Sequence, residues 1–188
     1  GPPFERGESA YFLSINRNKR SVTVDLKSSR GREVVQMLAS QADVVVQNFR
    51  PGVAERPGLG ANELCERYPR LVYCSLSRFR QDGPYAPRAG YDALLQAMGG
   101  LMSITGAADG PPTKVGVGVL DVLTGVLAAN GILAALVERE RSGKGQVVET
   151  SLLSASLATL VNQGQSCLMT GKAPQRMGSA HPNIAPYQ

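Results

Sequence analysis

Val44, Val45 and Val46 stand side by side, and this run constrains the chain more than any other feature. Successive residues of a strand point to opposite faces of a sheet, so a strand that is apolar at every position must be covered on both sides. A parallel strand between two helical layers meets that need. The flanking segments agree. Residues 21–26, SVTVDL, form a β-branched run that predicts a strand. Ser28 and Ser29 then offer a helix N-cap, and Val34, Val35 and Leu38 repeat at helical spacing. Residues 43–47 carry the valine strand, 62–67 predict a short helix, and 71–75, LVYCS, predict a third strand. Strand alternating with helix predicts an α/β fold built on a doubly wound parallel sheet.

Further along, residues 77–90 are rich in Gly, Pro and Arg and predict an ordered loop. Residues 91–98 predict a helix, and 106–118 form a second Gly/Pro-rich loop. Residues 120–139 are the most strongly helical in the chain. There Leu123, Val126, Leu127, Gly131, Ala134 and Ala135 mix large and small side chains as close helix packing requires. Ser142-Gly143-Lys144-Gly145 supplies the stop. Residues 146–150 then predict a strand and 151–169 a single helix. The opening residues, GPPFERGESA, resemble a loop inside a domain, and the last residues close on no element. The pattern therefore predicts one domain, residues 1–188, cut at both ends from a longer chain.

Several function classes drop out. With 20 Lys and Arg against 15 Asp and Glu, the net charge is +5. The densest basic stretch, Arg17-Asn18-Lys19-Arg20, has no interleaved aromatics, so no nucleic acid is expected as a partner. No run reads as apolar for long enough to cross a bilayer, and the first ten residues hold no leader, so no membrane partner is expected. Cys65, Cys74 and Cys167 are odd in number and widely spaced. That fits a reducing compartment, the cytoplasm or alternatively the mitochondrial matrix. One histidine, His181, cannot assemble a metal site with scattered cysteines, and none is expected. Gly116-x-Gly118 is no dinucleotide fingerprint, because its third glycine would fall on Asp121. Gly143-Lys144-Gly145-Gln146 lacks the spacing and hydroxyl of a phosphate loop.

The remaining candidates are local. Asp121 opens the long helix, where a carboxylate is ordinarily a charge favoured by the helix dipole. It also follows Gly116 and Gly118, which leave space beside the backbone, in a span poor in competing charge. A partly solvated carboxylate there can attack an activated acyl carbon. Asn48, Phe49 and Arg50 follow the valine strand directly, where open α/β sheets bind ligands, and could hold an adenine and phosphates. They also fit a turn closed by Pro51-Gly52. Lys27 and Arg56 are single basic residues of the kind usually solvated, and Asp92 fits a first-turn helix charge.

Six blocks in order carry a resemblance: SINRNKRSVTVDLK, ADVVVQNFRPG, PRLVYCS, GPYAPRAGYDALLQAMGGLM, TGAADGPPTKVGVGVLDVLTGVLAANGILAAL and SGKGQVVETSLL. Together they resemble the class III CoA-transferases, the superfamily of formyl-CoA transferase, carnitine CoA-transferase and methylacyl-CoA racemase. Within it the chain is most similar to succinyl-CoA-using dicarboxylate transferases. The resemblance implies a Rossmann-like domain, the central part of a longer chain that forms interlocked homodimers. It implies that coenzyme A or acyl-CoA is a substrate, with no permanently bound cofactor, and that a small carboxylic acid is the acceptor. Asp121 falls on the nucleophilic aspartate. Val24, Asp25, Leu26 and Lys27 fall on a CoA-contacting segment, as do Asn48, Phe49 and Arg50, the basic Arg56, and the segment Ala89, Gly90, Tyr91 and Asp92.

Two further expectations come with it. The racemase branch carries His-Asp where this chain has Tyr91-Asp92, and a phenol, ordinarily ionising at about pH 10, is a poor base near neutrality. That favours transferase over racemase. The family's Gly-aromatic-Gly turn after the third strand is here Arg78-Phe79-Arg80, and Pro57 replaces an aliphatic residue. Those changes are either tolerated or the mark of an impaired copy that only binds CoA or packs against a partner.

Overall fold

The computed structural model describes residues 1–187. Two short strands, β1 (Phe4–Glu5) and β2 (Glu8–Ser9), form an antiparallel hairpin. Ser9 then caps α1 (Ala10–Ile15), its hydroxyl accepting from the Phe12 N–H at 3.4 Å. The expected loop at the start of the chain is therefore partly ordered. Ser28 caps α2 (Ser29–Ser40) as expected, accepting from the Gly31 N–H at 3.0 Å. The chain continues through β3 (Val44–Gln47), α3 (Ala61–Arg67) and β4 (Val72–Ser77). Next come α4 (Asp92–Met98), a single turn α5 (Leu101–Ile104), α6 (Val119–Ser142) and β5 (Val147–Ser151). Two helices, α7 (Leu152–Thr159) and α8 (Val161–Thr170), follow.

The sheet runs β3-β4-β5, all parallel, with Val45 opposite Tyr73 and Cys74 opposite Val148. Because side chains alternate, that register sorts the two faces. Tyr73 and Val45 pack with Ala39 of α2 and Leu64 of α3. Behind Cys74, Val148 meets α6 at Gly131, where a Cβ would lie 2.7 Å from the valine Cγ1. Helices thus pack on both faces of the sheet, but β3 is an edge strand and its Val46 is 57% exposed, so the two-sided burial expected of the valine run is incomplete there. β4 is central, and Val72 and Cys74 are fully buried. A second apolar cluster, Phe79, Leu95, Leu120 and Leu152, ties α4, α6 and α7 together at the end of the strands.

Three expectations are corrected. Residues 21–26 form no strand; Val22 is exposed, and the segment ends in a turn instead. In that turn the Lys27 N–H donates to the Asp25 carboxylate at 2.9 Å, and the Ser28 N–H and hydroxyl donate to the Asp25 carbonyl at 3.2 and 2.9 Å. A local aspartate turn has displaced the ladder that β-branching favoured. Residues 151–169 are not one helix: Val161 breaks the run with φ 41°, a left-handed conformation that a β-branched residue rarely adopts. Lastly, α6 does contain an apolar stretch of bilayer-spanning length, with a mean hydropathy of 1.9 over 18 residues. Its place in the fold accounts for only part of that composition: 22% of the stretch is buried, and Val122, Val126, Leu133 and Val137 are exposed. Leu120, Thr124, Ala128 and Ala135 are buried, and the helix packs on β4, β5, α4 and α7.

Candidate active site

The site begins with a helix that cannot cap itself. The residue before α6 is Gly118, which has no side chain to offer the free N–H groups of the first turn. The cap comes from α4 instead. Asp92 Oδ2 accepts from the Leu120 N–H at 2.7 Å and from the Asp121 N–H at 3.3 Å. The other Asp92 oxygen accepts from Gln96 Nε2, one helical turn on. Gln96 Oε1 in turn accepts from the Val115 N–H at 2.8 Å. Gln96 is fully buried, and these two bonds satisfy both ends of its amide.

Asp121 is thereby set in the first turn of α6, exposed to solvent. Its Oδ2 lies 3.2 Å, and that of Asp92 3.7 Å, from where a Cβ on Gly118 would stand, so both carboxylates gather at this corner beside the glycine. Partial burial, and secondarily the Asp92 charge, push the Asp121 carboxyl above the usual carboxylate range. The helix dipole would pull it the other way, but Asp92 already occupies the two amides that would stabilise an anion here. The loop in front is half committed. The Val115 N–H goes to Gln96, and the Val119 N–H to the Val117 carbonyl at 2.8 Å. Among the described residues, the N–H groups of Gly116, Val117 and Gly118 have no partner. Because α6 returns antiparallel to the strands, this corner lies at their carboxyl ends, where open α/β sheets place ligands.

A second group gathers elsewhere. Leu26 and Phe49 line one apolar cavity of about 350 Å³ with Val35, Ala39, Val45 and Tyr73. Asp25 is engaged in the turn described above, Val24 is half-buried, and the Lys27 carbonyl accepts from Arg32 Nη1 at 2.8 Å. Asn48 and Arg50 are exposed, and the Phe49 N–H donates to Gln47 Oε1 at 2.7 Å. Arg56 is exposed in the loop after them. Ala89 is exposed, Gly90 is buried with its carbonyl held by Arg78 Nε at 3.0 Å, and Tyr91 is 76% exposed. The structure therefore brings Asp92 to Asp121, and Leu26 to Phe49. Among the described residues, no hydrogen bond or ion pair joins the two groups.

Asp92 does more than carry a first-turn charge: it is the cap of another helix. Gln96 and Val115 went unnoticed in the sequence, although one signal existed. Asp92 and Gln96 are spaced i, i+4 within DALLQAM, a polar pair on an otherwise apolar helix. The arginine-bearing turn is accommodated at unequal cost. Phe79 is buried in the core, and Arg78 ties the turn to Gly90. Arg80 takes φ 113°, a region that favours glycine, with its N–H on Ser77 Oγ at 3.0 Å and its Nε 3.1 Å from Asp82.

Comparison with known proteins bears on this geometry. The family model described as CoA-transferase family III matches residues 1–188. A succinate–glutarate CoA-transferase of Agrobacterium fabrum is 45% identical over 100% of this chain and 48% of its own length. A succinyl-CoA:glutarate CoA-transferase of Mus musculus is 45% identical over 100% of this chain and 43% of its own. The crystal structure of a CAIB/BAIF family protein from Brucella suis superposes with a TM-score of 0.92 and 47% identity, covering 100% of this chain and 51% of that one. The chain thus spans about half the length of the relatives it matches.

Proposed function

The chain belongs to CoA-transferase family III, and from that premise we propose that its protein moves coenzyme A from an acyl-CoA donor to a small carboxylic acid, with Asp121 as the covalent carrier. One observation carries the reading: an exposed carboxylate in the first turn of α6, beside three amides that have no partner among the described residues. Asp121 attacks the thioester carbon and expels the CoA thiolate, leaving a mixed anhydride. The thiolate then attacks the aspartyl carbonyl and releases the donor acid, which leaves an aspartyl–CoA thioester. The acceptor carboxylate reverses the sequence, and CoA departs on it. Each step is an exchange at the carboxylate level, which is the gain from a covalent route. Each tetrahedral stage places negative charge on a former carbonyl oxygen, and the N–H groups of Gly116, Val117 and Gly118 are the donors for it.

Succinyl-CoA as donor and a dicarboxylate such as glutarate as acceptor are supported by the activities for which the relatives are named. Val24, Asp25, Leu26, Lys27, Asn48, Phe49, Arg50, Arg56, Ala89, Gly90, Tyr91 and Asp92 form the proposed CoA track. Within that track, Asp92 acts through the capping contacts described above. A homodimer in a reducing compartment completes the proposal. The test is to incubate the full protein with succinyl-CoA, denature it, and weigh the tryptic peptide carrying Asp121. A CoA adduct on that peptide is expected, with adduct and exchange both lost in Asp121→Ala. Exchange that survives in Asp121→Ala would sink the assignment.

A further inference from the structure

We propose that Gln96 is a positioning residue for the transfer, acting on Asp121 through Asp92 and the loop that precedes α6. This rests on the reading of Asp121 as nucleophile. Gln96 is fully buried and touches two groups of opposite demand. The Asp92 carboxylate can only accept, and the Val115 N–H can only donate. A carboxamide supplies one donor and one acceptor at that separation, and it alone among side chains of its length does so uncharged at neutral pH. With Nε2 on Asp92, the carboxylate is held so that its other oxygen faces the Leu120 and Asp121 amides. With Oε1 on Val115, the loop is pinned one residue before Gly116, the first of the three amides without a partner. One side chain thus fixes both the carboxylate that attacks and the loop against which the oxyanion forms.

The charged groups facing this cluster are Asp92 from α4, Asp121 from α6, and Lys114 from the loop, whose Nζ donates to the Val115 carbonyl at 3.2 Å. A glutamate at position 96 would set a second carboxylate against Asp92. A protonated glutamic acid would restore the pattern, donating its O–H to Asp92 and accepting from Val115.

Two variants in the full protein decide the matter, with Asp121→Ala as reference. In Gln96→Leu, kcat for CoA exchange is expected to fall by about ten- to a hundredfold, the scale of a misplaced reacting group. KM for the acyl-CoA should change less than kcat, because Gln96 meets the CoA track only at Asp92, whose contacts run to the first turn of α6. In Gln96→Glu, the loss relative to wild type should be largest at neutral pH and shrink as the pH is lowered. A loss confined to KM would overturn the proposal, as would unchanged kcat in both variants while Asp121→Ala is inactive. If Asp121→Ala remains active, the underlying nucleophile assignment fails instead. Hydrogen exchange of the unmodified protein gives an independent check should Gln96→Leu not fold. The Val115 amide should be protected together with those of Leu120 and Asp121, and rapid exchange at Val115 alone would overturn the strut.

Discussion

Asp121 holds its proton more tightly than an ordinary carboxylate does. Burial first, and Asp92 second, raise its pKa, so the native state keeps this proton to a higher pH than the unfolded chain does. Between the ordinary carboxylate value, about 3.9, and the raised native one, the folded protein binds more protons, and stability falls as the pH rises. Above both values the loss persists. Asp121→Asn removes it. The variant should therefore melt above wild type at pH 7, with the gap closing below about pH 4, and calorimetry at the two pH values checks it. A wild type that is the more stable at pH 7 would contradict the arrangement. Legibility at this scale was uneven. Asp121 and Asp92 were visible as helix-start carboxylates, but nothing local said that one caps the other's helix, since the partners lie 28 and 29 residues apart. Arg80 shows the reverse. The sequence flagged a residue unsuited to a glycine's place, and the backbone there adopts the left-handed φ that the concern anticipated.

Among the elements, α6 was the most legible and also the most misjudged. Its extent was expected within a few residues, because the apolar pattern is long and Gly143 stops it with φ 73°. Its neighbours use only part of its apolar surface, since Val122, Val126, Leu133 and Val137 remain exposed. Gly125 faces open space, while Gly131 is a point of close approach. A methyl there would stand 2.7 Å from Val148 Cγ1. Gly131→Ala gains about 1 kcal/mol of helix propensity against an overpacking cost of about 1–3 kcal/mol. A net loss of about 1 kcal/mol is expected in denaturant unfolding, and a stabilised variant would show that β5 can yield. The strand over residues 21–26 and the continuous helix over 151–169 failed for a common reason. Propensity describes what a segment tolerates, whereas a ladder needs a neighbouring strand and a helix needs every φ to agree. Neither condition is visible within ten residues of sequence.

At the scale of the whole molecule, α6 joins the two ends of the sheet. Its head carries Asp121 at the carboxyl ends of the strands, and its foot carries Arg139 at their amino ends. Arg139, with its side chain 11% exposed, bonds Asp43 at 2.8 Å and the Arg70 carbonyl at 3.1 Å, the residues just before β3 and β4. Arg139→Met keeps the stem and removes both bonds, and should cost about 2 kcal/mol in chemical denaturation. A change within error would assign the latch to the surface. The parallel sheet was legible in three valines, but the edge position that leaves Val46 exposed was not, and neither was this latch, which joins residues 96 positions apart. It has a mechanical consequence. From Arg139 to Asp121 the helix is about 27 Å long at its ordinary rise, held at its foot by this latch and at its head by Asp92. A tilt of about 2° at the foot moves the carboxylate by about 1 Å, a displacement large enough to cost about a hundredfold in rate. An arginine at the far end of α6 thus bears on the aim of the carboxylate proposed as nucleophile.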